Sequence, residues 1–145
     1  KEASEYIDKY KSTFPSVFSW MDNIKKEAEG NGFVKTLFGR KREIPELLDK
    51  NDNVKKYGFR MAVNTIIQGT AAEIVKLGMI LVHKFLKDNP DLKGKIVLQI
   101  HDEILIEADE RFADEIAAKC KKIMKDAVDF KVPFSINCET EICWK

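Results

Sequence analysis

A mainly apolar stripe recurs every third or fourth position between about Val54 and Leu86, at Val63, Ile66, Thr70, Ile74, Leu77, Leu81 and Phe85. That period predicts one long helix, stopped by Asn89-Pro90-Asp91. Upstream, Ala3, Tyr6, Ile7 and Tyr10 have helical spacing to about Lys11, and Pro15 opens a second helix to about Glu29. Gly30-Asn31-Gly32 ends it. Phe33 to Leu37 and Arg42 to Ile44 suggest a short hairpin around Gly39, closed by Pro45, with a loop from Leu47 to Asn53.

After the long helix, Lys95 to Ile100 and Ile104 to Ala108 read as paired strands. A helix from about Glu110 to Val128 and a last strand from about Val132 to Cys143 complete the chain. The pattern predicts an α+β fold: a small antiparallel sheet, made of that hairpin and the C-terminal strand, carrying several helices. No repeat, low-complexity tract or linker divides residues 1–145, so a single domain or part of one is expected.

Composition narrows the class. The chain has 145 residues, 44% hydrophobic and 34% charged, a balance typical of globular rather than disordered proteins. Gln68, Glu73, Lys76 and His83 interrupt the greasiest stretch, Ile66 to Phe85, so no membrane span is expected. Lys1 is not an initiator methionine, and a processed or excised chain is expected. Cys120, Cys138 and Cys143 fit no zinc or redox spacing and read as reduced cytosolic thiols. A Cys138–Cys143 disulfide is disfavoured, because along one strand the two would not easily meet.

Net charge is +1, but its distribution is uneven. Lys35, Arg40, Lys41, Arg42, Lys50, Lys55, Lys56 and Arg60 outnumber Glu43, Glu46, Asp49 and Asp52 in the same stretch. A basic segment combined with an acidic site suits a phosphate polymer that needs a cation at one point. An ordinary solvated surface has the same composition.

The candidate chemistry centres on Gln99-Ile100-His101-Asp102-Glu103. No Gly or Asn separates the two strands, although two-residue hairpin turns favour residues that accept φ > 0. Putting Asp102 and Glu103 at the tip costs turn quality and places like charges side by side, a cost associated with working sites. Two carboxylates on a rigid hairpin suit a hard cation such as Mg²⁺, whose remaining oxygen ligands must come from elsewhere. His101 can contact a phosphate or simply pack, and His83, amid apolar residues, reads as structural.

Arg60, Asn64 and Gln68 lie at i, i+4 and i+8, so a continuous helix stacks them in one ridge. All three donate hydrogen bonds, and minor-groove acceptors differ little between base pairs. The ridge can therefore test duplex geometry without reading sequence, or tie the helix to a loop. Gly69, in mid-helix, costs about 1 kcal/mol relative to alanine. That cost implies a bend or close approach by DNA or another element. Gly39-Arg40-Lys41-Arg42 is a basic turn suited to phosphate.

In order, these motifs resemble the C-terminal part of family-A DNA polymerases. The matching elements are Gly32-Phe33-Val34-Lys35-Thr36-Leu37-Phe38-Gly39-Arg40-Lys41-Arg42-Glu43-Ile44-Pro45, Arg60 with Asn64, Gln68 to Lys76, Gln99 to Glu103, and the ending Val132-Pro133-Phe134 with Trp144. The resemblance implies that Asp102 is a metal-binding aspartate of the palm, Glu103 its accessory carboxylate, and His101 a neighbour of the primer terminus. It implies that Arg60, Asn64 and Gln68 contact primer–template DNA from the minor groove, with Arg40 and Arg42 on a turn close to the DNA. The implied reaction is attack of a primer 3′-hydroxyl on the α-phosphate of a templated dNTP, which transfers dNMP and releases pyrophosphate with two Mg²⁺ ions, in a cytoplasm of bacterial or phage type, although organellar members share these motifs.

Lys41 stands where the family usually has arginine, and Phe59 replaces the glutamate that usually precedes the arginine matched by Arg60. The family's first palm motif and nucleotide-holding fingers helix are not in this sequence. The missing N-terminal part is thus an expected partner, and the chain alone is expected not to polymerise. A non-catalytic DNA-binding module using the ridge is the alternative. A metal-dependent phosphohydrolase would need more clustered carboxylates or histidines.

Overall fold

The computed structural model describes residues 2–143. Its elements are α1 (Glu2–Thr13), α2 (Pro15–Asn31), β1 (Phe33–Lys35), β2 (Lys41–Glu43), α3 (Asp52–Asp88), β3 (Lys95–Ile100), β4 (Glu103–Glu107) and α4 (Ala113–Lys125). Short 3₁₀ turns cover Pro45–Leu48, Pro90–Leu92 and Glu110–Phe112. The α+β class and the long helix are as expected. Contacts divide the chain into two compact units, one up to Thr70 and one from Ala71, with the boundary inside α3.

In the first unit, Pro15 sits in the opening turn of α2, where its missing N–H costs nothing. Gly32, at φ 73°, closes the helix by donating its N–H to the Ala28 carbonyl at 2.8 Å. The chain then enters the β1–β2 hairpin, pairing Phe33 with Glu43, Val34 with Arg42 and Lys35 with Lys41. Ala28, Val34, Ile44, Leu47 and Ala62 form the core, with Ile24, Phe59, Met61 and Ile66 packed around it.

Gly69 has a clear structural reason. A Cβ there would lie 2.8 Å from Thr36 Cγ2, so the close approach foreseen at this glycine is made by the hairpin. Thr70 Oγ1 adds to this contact by accepting the Leu37 N–H at 3.0 Å.

In the second unit, β3 and β4 pair antiparallel, with a register irregularity between Ile96 and Leu98. Such a bulge changes which residues share a face of the ribbon. Val82, Leu86, Ile116 and Cys120 form the core, with Ile96, Ile106, Phe112 and Met124 among the residues packed on it. Gly78 leaves room for the Met124 thioether, and Gly94 for Leu86 and Ile116. Before α4, Asp109 accepts from the Arg111 backbone N–H and from its Nε and Nη2 at 3.1, 2.9 and 2.7 Å. The guanidinium holds that carboxyl well below the usual carboxylate range.

Several expectations need correction. No strand forms over Val132–Cys143 among the described residues. Pro133 has no N–H for a ladder, and among the described residues β3 and β4 pair with no strand but each other. Trp144 lies outside the described residues. Val63 is buried as expected, but Leu77 and Leu81 are exposed whereas Gly78, Val82 and Leu86 are buried, so in the second half of α3 the inward stripe runs one position later than expected. His83 is exposed rather than packed. Part of the expected Leu47–Asn53 loop belongs to the 3₁₀ turn and to α3. By length and composition α3 is apolar enough to cross a membrane, with 17% of its most apolar window buried. A lysine at a bilayer centre costs roughly 3 kcal/mol, and Lys76 lies inside the apolar stretch with Glu73 one turn before it.

Candidate functional site

The β3–β4 turn is tighter than expected. Ile100 pairs with Glu103, which leaves only His101 and Asp102 as central residues. Glu103 is therefore the first residue of β4 and not part of the tip. His101 has φ 51°, one of two non-glycine residues with positive φ among those described. A turn with φ > 0 at its first central position normally takes glycine there. Histidine tolerates this region better than most residues but still carries strain. The Gln99 side-chain Nε2 donates to the His101 carbonyl oxygen and braces the corner.

His101, Asp102 and Glu103 are all exposed, and among the described residues no ion pair engages either carboxylate. Asp102 borders two cavities of the second unit. One, about 580 Å³, is also lined by Glu103, Cys120, Lys121, Asn137 and Cys138. The other, about 650 Å³, is mainly apolar, with Ile74, Met124, Phe130, Val132 and Phe134 in its walls. The corner thus offers free carboxylate oxygens at the rim of space large enough for a ligand.

The ridge belongs to the first unit. Arg60, Asn64 and Gln68 are all exposed on α3. No hydrogen bond ties them to a neighbouring loop among the described residues. The Arg60 guanidinium lies 5.7 Å from the Tyr57 ring centroid, a cation–π distance that holds it over the helix surface.

The basic turn separates into two roles. Arg40 is exposed, and only its backbone is engaged, donating its N–H to Thr36 Oγ1 at 3.1 Å. Arg42 is on β2, and its Nη1 donates to the buried Thr65 hydroxyl on α3 at 3.0 Å. Arg42 therefore joins hairpin to helix. Lys41 lies 4.2 Å from the Phe33 ring centroid and 3.2 Å from Glu43 Oε1.

Sequence reasoning passed over the polar groups brought beside the corner, Lys121 on α4 and Ser135, Asn137 and Glu139 in the C-terminal segment. A strand expected over that segment hid the fact that it lines a cavity. Only the adjacency of Lys121 to the apolar Cys120 on α4 gave a partial signal.

The family model for DNA polymerase family A matches residues 1–145. This chain belongs to DNA polymerase family A. It is 46% identical to DNA polymerase I of Caldicellulosiruptor bescii over 99% of this chain, which is 17% of that relative. It is 38% identical to DNA polymerase I of Bacillus caldotenax over 99% of this chain and 16% of that one. The chain thus spans about one sixth of the length of these two relatives. The POL domain of Pol1 from M. smegmatis, solved in complex with DNA primer-template and dNTP, superposes with a TM-score of 0.88 at 34% identity. The superposition covers 94% of this chain and 24% of that one.

Family A polymerases generally use divalent metal ions. The donors at the corner fit such an ion in kind, because Asp102 and Glu103 offer hard, unpaired oxygens. They fall short in number. Among the described residues, no group of three or more His, Cys, Asp or Glu side chains is placed to hold a metal.

Proposed function

We propose that this family A chain is the palm core with adjoining fingers helices of a DNA-directed DNA polymerase, acting in a cytoplasm of bacterial or phage type. The observation that carries the reading is the strained corner, where His101 adopts a glycine-like φ and Asp102 borders two cavities with its carboxylate unpaired. In the intact enzyme a primer 3′-hydroxyl attacks the α-phosphorus of a templated dNTP, and pyrophosphate leaves. Asp102 and Glu103 would hold Mg²⁺, which when bound stabilises charge developing on the phosphate oxygens. Arg60, Asn64 and Gln68 donate to the minor-groove acceptors of primer–template DNA. His101 lies near the primer end, and Arg40, with a smaller share from Arg42, attracts the backbone.

The chain by itself is proposed to be inactive, because two carboxylates do not complete a two-ion site. Its partner is the preceding part of the same polymerase domain. Primer extension tests the reading: the chain alone forms no product with primer–template, dNTP and Mg²⁺, and adding a polypeptide carrying the preceding part restores it. Asp102→Ala lowers the restored rate on the order of a thousandfold, as expected for losing several kcal/mol of transition-state stabilisation. An unchanged rate would remove Asp102 from the site.

A further inference from the structure

Cys120 and Cys138 are 18 positions apart in sequence, yet they line the same cavity. Cys120 is buried on α4. Cys138 Sγ lies 3.7 Å from the Ala117 carbonyl oxygen, one helical turn before Cys120. Cys138 is exposed and belongs to neither helix nor strand, so its backbone can shift without breaking a ladder. Cys143 is exposed and lines none of the cavities described above.

We propose that Cys120 and Cys138 are a dithiol pair that closes to a disulfide, fastening the C-terminal segment to α4 in the wall of the cavity bordered by Asp102 and Glu103. The oxidant is a low-molecular-weight disulfide, RSSR. The accessible Cys138 thiolate attacks one sulfur of RSSR, forming a mixed disulfide and releasing RS⁻. Cys120 then gives its proton to solvent and attacks the Cys138 sulfur, expelling the second RS⁻. The two cysteine thiols are oxidised to one disulfide, and RSSR is reduced to two RSH. Burial, and then the facing Cys138 charge, pushes the Cys120 thiol up to about 11. The closing step therefore accelerates as pH rises, since only the thiolate attacks.

Closure constrains the segment that carries Ser135, Asn137 and Glu139 beside the acidic corner. The cross-link itself is independent of the polymerase reading. Its effect on catalysis rests on that reading.

The full chain is incubated with oxidised glutathione without denaturant, quenched in acid, alkylated and peptide-mapped. A Cys120–Cys138 linked peptide is expected in the wild type and in Cys143→Ser. It is absent in Cys138→Ser and in Cys120→Ala, and Cys120 in Cys138→Ser stays free. Trypsin cleavage after the exposed Lys131 is expected to slow on the order of tenfold on oxidation and to recover with dithiothreitol, because the bridge restricts local opening. A glutathione adduct on Cys138 that never closes, or a Cys138–Cys143 bridge, overturns the proposal. So does a linked peptide that forms equally well in guanidinium.

Discussion

The Thr36 methyl group fills the space that a side chain on Gly69 would need, since an ideal Cβ there falls 2.8 Å from Thr36 Cγ2. Thr36 is buried and its hydroxyl accepts the Arg40 N–H, so it has little freedom to yield. Gly69→Ala gains about 1 kcal/mol of helix propensity and loses about 1–3 kcal/mol to overpacking. A net destabilisation of about 1 kcal/mol is expected in urea unfolding. Thr36→Ser removes the clashing methyl, so Gly69→Ala made in that background becomes neutral or stabilising. Additive effects in this double-mutant cycle would show that the contact does not set the residue choice.

At the corner, His101 occupies a position whose φ of 51° suits glycine. His101→Gly relieves strain of about 1 kcal/mol while making the unfolded chain freer by a similar amount. Stability is expected to stay within about 0.5 kcal/mol of wild type. His101→Val puts a β-branched residue in the same conformation and is expected to cost more than about 1 kcal/mol. Equal melting of both variants would mean that the corner rearranges freely.

Arg40 and Arg42 are expected to part company experimentally. Arg42→Ala leaves the buried Thr65 hydroxyl without its 3.0 Å donor and should cost about 1–2 kcal/mol of stability. Arg40→Ala should leave the midpoint unchanged, because that side chain is exposed and only the residue's backbone is engaged. In salt titrations of primer–template binding by the reconstituted polymerase, Arg40→Ala should reduce the log–log slope by about one. A stability loss for Arg40→Ala, or none for Arg42→Ala, contradicts this division.

Cys120 gives the reduced chain an alkaline signature. Its folded value of about 11 lies above the ordinary 9.0. The stabilisation is complete below pH 9.0, where the thiol is protonated in both states. It declines as pH rises towards 11, because the unfolded chain ionises first. Denaturation midpoints of wild type should therefore fall more steeply over that window than those of Cys120→Ala. Parallel pH profiles would show that the thiol is not held protonated by the fold.

The long helix, the two hairpins and the Asp-Glu motif were readable because each has a local cause. Helical period, proline and glycine punctuation, and a carboxylate pair between apolar runs act within a few residues. The exposed ridge of Arg60, Asn64 and Gln68 followed from the same period. The expected C-terminal strand failed for the opposite reason, since a strand needs a partner edge and none among the described residues pairs with it. The inward face of α3 likewise passed to Gly78, Val82 and Leu86 because Met124, Ile116 and their neighbours pack there.

By itself the order of residues determined the helices and hairpins up to α4, the chemical character of the acidic corner and the family motifs, all of which rest on spacing along one chain. Tertiary structure alone decided that Glu103 leaves the tip for β4, that Arg42 serves Thr65, and that Cys138 meets α4 beside Cys120. Those outcomes depend on which distant atoms compete for the same space and the same hydrogen bonds, and a local pattern contains no record of that competition.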